Sequence, residues 1–459
     1  MTAIAARIGE SAQKRLVLVA CILGSSIVFV DGTVVNVALP AIQRDLGGGL
    51  TLQQWVVDAY LLTLGSLILL GGSLGDLFGE RRVFSLGTAL FGLTSIGCAL
   101  APSGAALIAA RGLQGIAGAL LTPAALAVIT STFSGEERGA AIGTWTAWTG
   151  ISTVVGPLLG GWLVSAASWR SIFYLNVPLV AVTLATIAVA LPRREGGKRV
   201  EVDVTGAVLC VLGLGGPVFA LIEQPRRGWG DPLILATLSV GVVLLAAFVW
   251  WEQHASHPML PLRLFRARNF TLANVETLFA YGALSILIFF LSLYLQQIAG
   301  YSPFRSGLAL LPVTIVMFTL SRLVGRLSMR LGPRVFMGGG PILCAIGVAW
   351  MLPLGRSFDY WTELLPPLLV FALGLAALVA PLTSTVLAEA GEGDAGIASA
   401  VSNAVARVAG LLAIAVVGVA VAGPNEQLSL HGFRIATGIT VALLAAAGLT
   451  GIAGIRNPR

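Results

Sequence analysis

Charged residues are scarce in this sequence. Only 11% of its 459 residues are Asp, Glu, Lys or Arg, whereas 56% are hydrophobic and the mean hydropathy is +0.90. A water-soluble globular protein cannot bury so large an apolar fraction. The alternation of polar and apolar residues typical of a transmembrane β-barrel is also absent. The sequence therefore predicts an all-α polytopic membrane protein.

Cysteine and histidine are rare as well, with four and three copies. The cysteines lie inside apolar runs without paired spacing, which argues against disulfides and metal ligands. Glu252, His254 and His257 lie close together in the chain, but without a further ligand group they do not predict a metal site. No GxxxxGK[ST] motif and no catalytic constellation occur, so the sequence predicts neither direct use of ATP nor an enzyme. The net charge is +7, and the basic residues lie in short loops beside apolar runs. This placement indicates that they set the membrane topology rather than bind nucleic acid.

Apolar runs long enough to cross a bilayer recur along the whole chain. Most loop lysines and arginines fall on the side of the N-terminus, so the positive-inside rule predicts a cell-membrane protein with both termini in the cytoplasm. Cutting at polar loops and at Gly and Pro gives fourteen predicted spans: 16–39, 52–74, 83–101, 104–132, 138–165, 171–191, 204–223, 231–252, 269–298, 304–328, 333–356, 363–388, 395–422 and 430–455.

Two pairs of segments resemble each other in the same order along the chain. Residues 72–84 (GSLGDLFGERRVF) resemble residues 325–336 (GRLSMRLGPRVF), and residues 118–143 resemble residues 376–401. This indicates duplicated six-helix bundles, arranged in parallel because both begin and end on one side, with spans 7 and 8 inserted between them. The predicted domains are an N-terminal bundle at 1–191, a cytoplasmic linker at 192–203, the inserted helices with their following loop at 204–262, and a C-terminal bundle at 263–459.

Four short motifs carry a family resemblance: VDGTVVNVALP (30–40), GSLGDLFGERR (72–82), RGLQG (111–115) and GPLLGG (156–161). They resemble the motif set of the major facilitator superfamily and, with fourteen spans, that of the EmrB/QacA-type drug:proton antiporters. The resemblance implies a proton-coupled antiporter that exports lipophilic or cationic drugs by alternating access and uses no cofactor beyond the proton gradient. Protons, membrane lipid and a small lipophilic or cationic substrate are then its expected partners, and a monomer its expected state.

Charged residues inside the predicted spans are the candidates for proton coupling. Asp31 interrupts the first span, where a carboxylate costs roughly 2.5–3.5 kcal/mol on insertion scales, so some interaction or function must offset that cost. Asp58 and Glu276 are further carboxylates within spans, and by resemblance Arg111 helps to couple protonation to rearrangement. Structural alternatives remain open for three of these residues. Asp31 could be held in a buried ion pair with Arg111 or bonded to hydroxyl groups, Asp58 could be a solvated residue at the end of its span, and Arg111 could snorkel to the interface.

The loop between spans 2 and 3 resembles a conformational latch between the two bundles. Charged groups there can bond to neighbouring helix ends, and glycines permit a tight reversal. The alternative is an ordinary solvated loop with cytoplasmic positive charge. The predicted latch residues are Gly72, Asp76, Gly79, Arg81 and Arg82.

The fifth span carries a glycine-rich pattern that matches the antiporter signature of the family: Gly156, Pro157, Gly160 and Gly161. Its GxxxG spacing also permits close helix packing, which alone explains the pattern equally well.

Two other functions remain open, namely export of an endogenous lipid or secreted metabolite, and a membrane sensor that transports nothing. We expect four polar residues to line a cavity between the bundles: Gln114, Thr122, Asn274 and Tyr281.

Overall fold

The computed structural model describes residues 10–191, 202–389, 391–421 and 427–457, so most of the predicted linker lies outside the described residues. Within these ranges every regular element is a helix. In chain order the α-helices are α1 (Glu10–Leu46), α2 (Gly49–Phe78), α3 (Glu80–Ala99), α4 (Gly104–Thr132), α5 (Gly135–Ala166), α6 (Ser171–Tyr174), α7 (Asn176–Ala190), α8 (Val204–Arg227), α9 (Pro232–His254), α10 (Arg268–Leu293), α11 (Pro303–Ala309), α12 (Leu311–Leu331), α13 (Pro333–Ala349), α14 (Leu365–Glu389), α15 (Gly391–Val421) and α16 (Leu430–Gly454).

All fourteen predicted spans coincide with a helix or a consecutive pair of helices, but the count of fourteen is approximate. Among the described residues, 13 helical segments are long and apolar enough to cross a membrane. The remaining predicted span, 333–356, is wrong in length because its helix α13 ends at Ala349 after 17 residues. Pro353 and Gly355 follow closely, and both residue types interrupt helices.

The sequence repeat reappears as a repeated turn. Gly79 joins α2 to α3 with φ 90° and ψ 132°, and Gly332 joins α12 to α13 with φ 85° and ψ 150°. Residues with a side chain rarely adopt such positive φ values, so the local chain reversal requires glycine at both positions. The two matched segments thus make the same turn after the second long helix of each half.

Helix packing repeats between the halves in the same way. In the first half α2 and α3 pack on α4, and α1 packs on α5 and α7. In the second half α12 and α13 pack on α14, and α10 packs on α15 and α16. The two six-helix bundles therefore share one arrangement, as parallel duplicated units must.

The inserted pair α8 and α9 lies against the junction of the two bundles. Helix α8 contacts both α2 of the first bundle and α15 of the second. On α8, Val218 and Ile222 form a buried cluster with Leu411 and Ala415 of α15. At the end of the same helix, Trp55 Nε1 of α2 donates to Glu223 Oε1 at 2.9 Å.

The two bundles are held together on one side of the molecule. We call the side that carries Glu10 and the Gly79 turn the N-terminal face, and the opposite side the distal face. Hydrogen bonds between described residues of the two bundles all lie toward the distal face. They are Gln54 Nε2 to Ile414 O (2.9 Å), Ser292 Oγ to Asn36 O (3.0 Å), Gln296 Nε2 to Val37 O (3.0 Å), Gln297 Nε2 to Gln43 Oε1 (3.1 Å) and Phe304 N to Ser165 Oγ (3.3 Å).

Toward the N-terminal face the ends of the long helices are exposed. Phe78 at the end of α2 is 52% exposed, and Met329 near the end of α12 is 77% exposed. Because the hydrogen bonds between the bundles lie toward the distal face, the structure is in a conformation that is closed at that face.

Candidate transport site

A buried ion pair joins α1 to α4. Arg111 Nη1 donates to Asp31 Oδ2 at 2.5 Å, and both side chains are 0% exposed. Arg111 also donates from Nε to Val56 O of α2 at 2.9 Å. Asp31 is thus paired in this conformation, and Arg111 is directed into the bundle rather than snorkelling to the interface. Whether Asp31 exchanges protons stays a prediction.

Two neutral amides complete the hydrogen bonding of Asp31, and Ser95 accepts a bond from each of them. Gln114 Nε2 donates to Asp31 Oδ1 at 3.0 Å, and Asn176 Nδ2 donates to the same oxygen at 2.9 Å. Both amides also donate to Ser95 Oγ, at 2.8 and 3.2 Å. Asp31 therefore accepts bonds from α4 and α7, and sequence reasoning missed Asn176 and Ser95 because polar residues in separate helices reveal no contact.

Aromatic rings enclose the guanidinium of Arg111. Its Cζ lies 4.2 Å from the ring centroid of Tyr60 and 5.8 Å from that of Phe173. Such cation–π contacts compensate a buried cation for part of its lost hydration. Two polar atoms of this network, Arg111 Nη2 and Asn176 Oδ1, are buried without a hydrogen-bond partner.

Two buried carboxyl groups have neither a hydrogen bond nor an ion pair to any of the described residues. Both carboxyl oxygens of Asp58 on α2 and of Glu276 on α10 are buried and accept no hydrogen bond from the described residues. Asp58 and Glu276 are both 0% exposed. Burying an ionised carboxylate without a partner is very costly. These two groups therefore differ in kind from Asp31, which has a counter-ion and three donors.

The glycine pattern of α5 lies where three helices meet. A Cβ atom on Gly160 would stand 2.4 Å from Val34 Cγ2 of α1, and a Cβ on Gly161 would stand 2.6 Å from Pro303 O of α11. Conversely, a Cβ on Gly307 of α11 would stand 2.3 Å from Pro157 O. Because α1 belongs to the first bundle and α11 to the second, these glycines permit close approach within a bundle and between bundles. Gly156 likewise faces Thr33 of α1.

The predicted latch residues make their described contacts within the first bundle. Arg81 donates to the backbone oxygens of Leu191 and Ala188 near the end of α7. Asp76 and Arg82 are exposed, and no ion pair between described residues includes either of them. Gly79 makes the turn and Gly72 lies on α2 near Pro123. A latch between the bundles stays a prediction, to be tested in another conformation.

The four residues expected to line a cavity occupy different surroundings. Gln114 is 0% exposed and belongs to the Asp31 network rather than to a cavity wall. Asn274 is 3% exposed, with Oδ1 unpaired, and Thr122 Oγ1 is also buried without a partner. Tyr281 is partly exposed near the middle of α10.

Arg407 of α15 is a second cation at the level of the bundle centres. Its side chain is partly exposed, and its Cζ lies 5.6 Å from the ring centroid of Phe29 on α1. No hydrogen bond or ion pair between described residues includes it. Arg407 was not among the residues predicted from the sequence to have a role, although an arginine within an apolar run was a usable signal.

Two parallel helical bundles with buried charges near their interface define a multi-pass membrane transporter. A family model for the Major Facilitator Superfamily matches residues 21–414. The chain therefore belongs to the Major Facilitator Superfamily, and it is a transporter rather than an enzyme.

Relatives of high similarity are named for drug resistance and export. Puromycin resistance protein pur8 of Streptomyces alboniger is 37% identical over 449 residues, which cover 94% of this chain and 88% of the relative. Cephamycin export protein CmcT of Amycolatopsis lactamdurans is 36% identical over 96% of this chain and 92% of the relative. Among solved structures, a peptide transporter POT in complex with sulfate has a TM-score of 0.71 at 15% identity, covering 98% of this chain and 97% of that chain. That last likeness concerns the fold alone.

Proposed function

We propose that this protein is a proton-coupled antiporter that exports small lipophilic drugs by alternating access, in the manner of the EmrB/QacA-type exporters. The observation that carries the coupling is a pair of buried carboxyl groups that have no partner among the described residues, Asp58 in the first bundle and Glu276 in the second. The names of the relatives, which concern puromycin and cephamycin, support a drug as cargo.

The division of labour among the carboxyl groups follows from their surroundings. Asp31 keeps Arg111 in place and organises α1, α4 and α7 around one polar centre. Asp58 and Glu276 carry a proton in this conformation and release it when the bundles move and water reaches them. Arg111 transmits the change, because its bonds reach α2 at Val56 O, two residues from Asp58.

The remaining elements of the proposal concern topology. The excess of lysine and arginine in loops on the N-terminal face supports a cell-membrane location with that face in the cytoplasm. The conformation closed at the distal face is then the one that receives cargo from the cytoplasm. We expect a monomer surrounded by lipid, with the proton gradient as the energy source and no cofactor.

The test measures drug movement into proteoliposomes with an acidic lumen, with puromycin, which bears no anionic group, and a cephamycin, which bears a carboxylate, as separate probes. Wild type accumulates the drug as protons leave. In Asp58→Asn and in Glu276→Gln this accumulation should fall at least tenfold. Exchange of drug across the membrane at equal pH should remain, because exchange needs no proton transfer. Accumulation at the wild-type level in both variants would overturn their role in coupling.

Matched controls separate coupling from general damage. Asp45→Asn and Glu137→Gln remove carboxylates whose side chains are 46% and 61% exposed in surface ion pairs, so both should behave as wild type. Asp31→Asn is run beside them, and undiminished accumulation in that variant would remove Asp31 from the mechanism. If wild type itself shows no gradient-dependent movement of any drug probe, the proposed function fails.

A further inference from the structure

Arg407 presents a positive charge to the interface between the two bundles. It is the 17th of the 31 residues of α15, so it lies near the middle of that helix. Its Cβ lies 3.0 Å from the position of a Cβ on Gly65 of α2, and its Cζ lies 5.6 Å from the ring centroid of Phe29. The side chain thus points from the second bundle toward α1 and α2 of the first.

Two tyrosines lie on the helices that pack against α15. Tyr60 is on α2 and Tyr281 is on α10, and both of these helices contact α15. The Tyr60 ring lies 4.2 Å from the Cζ of Arg111. Arg111, which has a carboxylate partner, and Arg407, which has none among the described residues, are thus both close to α2.

Arg407 has no counter-ion among the described residues. Asp31 is occupied by Arg111 at 2.5 Å, and no ion pair within 4.0 Å between described residues includes Arg407. A partly buried cation without an anion is costly, unless an anion arrives during function.

We propose that Arg407 binds the anionic group of the cargo, so that the transported class is amphipathic organic anions or zwitterions with an aromatic or lipophilic body. A guanidinium offers a planar pair of donors that matches a carboxylate, sulfonate or phosphate. Phe29 supplies a ring against which the lipophilic body packs, and Tyr60 and Tyr281 lie on the two helices that contact α15. Parallel-repeat transporters bind substrate near the midplane between their bundles, which is the level of Arg407. This inference rests on the proposed function and opposes the expectation of a cationic cargo.

The test compares two dyes that differ in one carboxyl group. Rhodamine 110 carries a free carboxylate, whereas rhodamine 123 is its methyl ester and bears no anionic group. Binding to the purified full-length protein in detergent is followed by fluorescence polarisation at pH 7, without any gradient. Wild type should bind rhodamine 110 more tightly than rhodamine 123.

Three variants identify the residue responsible. Arg407→Gln should weaken rhodamine 110 binding about tenfold or more, with little effect on rhodamine 123, because one charge-assisted bond is lost. Arg407→Lys should keep part of the preference, because it keeps the charge. Arg326→Gln removes an exposed arginine of α12 and should match wild type.

Several outcomes overturn the inference. They are a wild type that binds both dyes equally or prefers the ester, and an Arg407→Gln variant that keeps the carboxylate preference or loses both dyes alike. If Arg407→Gln does not fold, the wild-type dye preference and its reduction in Arg407→Lys still decide. Because the assay needs no gradient, a carboxylate preference without gradient-driven transport refutes the proposed function alone, and transport without the preference refutes this inference alone.

Discussion

The same substitution at two buried aspartates should change stability by very different amounts. Asp31 accepts three hydrogen bonds, one from the Arg111 guanidinium and two from neutral amides. Asp31→Asn replaces an acceptor oxygen by an amide nitrogen that confronts these donors, and it leaves Arg111 buried without a counter-charge. Asp58→Asn removes no recorded bond, because both oxygens of Asp58 lack a partner among the described residues.

The magnitudes follow from these two environments. Removing one partner of a buried ion pair costs about 3–5 kcal/mol, so Asp31→Asn should lower the free energy of unfolding by that amount. Asp58→Asn should change it by about 1 kcal/mol or less, since the net value of one hydrogen bond is of that order. The measurement is the midpoint of unfolding of the purified proteins in one detergent, which should fall clearly for Asp31→Asn only.

A double variant tests the ion pair itself. Arg111→Met alone should destabilise as Asp31→Asn does, but the two changes together should cost less than their sum by about 0.5–3 kcal/mol, because neither charge remains. Strict additivity, or equal midpoints for Asp31→Asn and Asp58→Asn, would refute the reasoning. A larger loss for Asp58→Asn than for Asp31→Asn would reverse it.

Two further predictions concern the contacts of the inserted helices and of the distal face. Trp55→Phe keeps an aromatic ring but removes the N–H that donates to Glu223. It should lower the free energy of unfolding by about 1.5–3 kcal/mol, which is measured as a lower unfolding midpoint. An unchanged midpoint would contradict this prediction. Gly161→Leu cannot fit, because its Cβ would stand 2.6 Å from Pro303 O, so the distal face should open. Ser306→Cys, at a residue of α11 that is 0% exposed, should then react faster with a membrane-impermeant maleimide in the Gly161→Leu variant than in the protein that keeps Gly161, and equal rates would contradict this.

The membrane-spanning helices were predictable because each one depends on the hydropathy of its own segment. A span needs about 20 apolar residues whatever its neighbours are, so composition alone locates it. The repeat was predictable for a similar reason, since the Gly79 and Gly332 turns both require positive φ. The early end of α13 at Ala349 was missed because the apolar run continues beyond the last helical residue.

The partners of the charged residues were only partly predictable. The ion pair between Asp31 and Arg111 was one of the alternatives that the sequence left open, since a charge buried within a span requires a partner. Asn176 and Ser95 were not foreseen, because they come from α7 and α3 and only the packing of four helices brings them together. Likewise nothing in the local sequence around Asp58 or Glu276 distinguishes a paired carboxyl group from an unpaired one.

The sequence by itself determined that the chain is a helical membrane protein with two parallel bundles, because hydropathy and repetition are properties of each segment. Only the tertiary structure decided which charges are compensated. Asp31 and Arg111 lie 80 positions apart in the chain and form an ion pair, while Arg407, Asp58 and Glu276 are left without one among the described residues. The physical reason is that an ion pair depends on distances of a few ångströms between helices, which hydrophobic packing sets and which no single segment encodes.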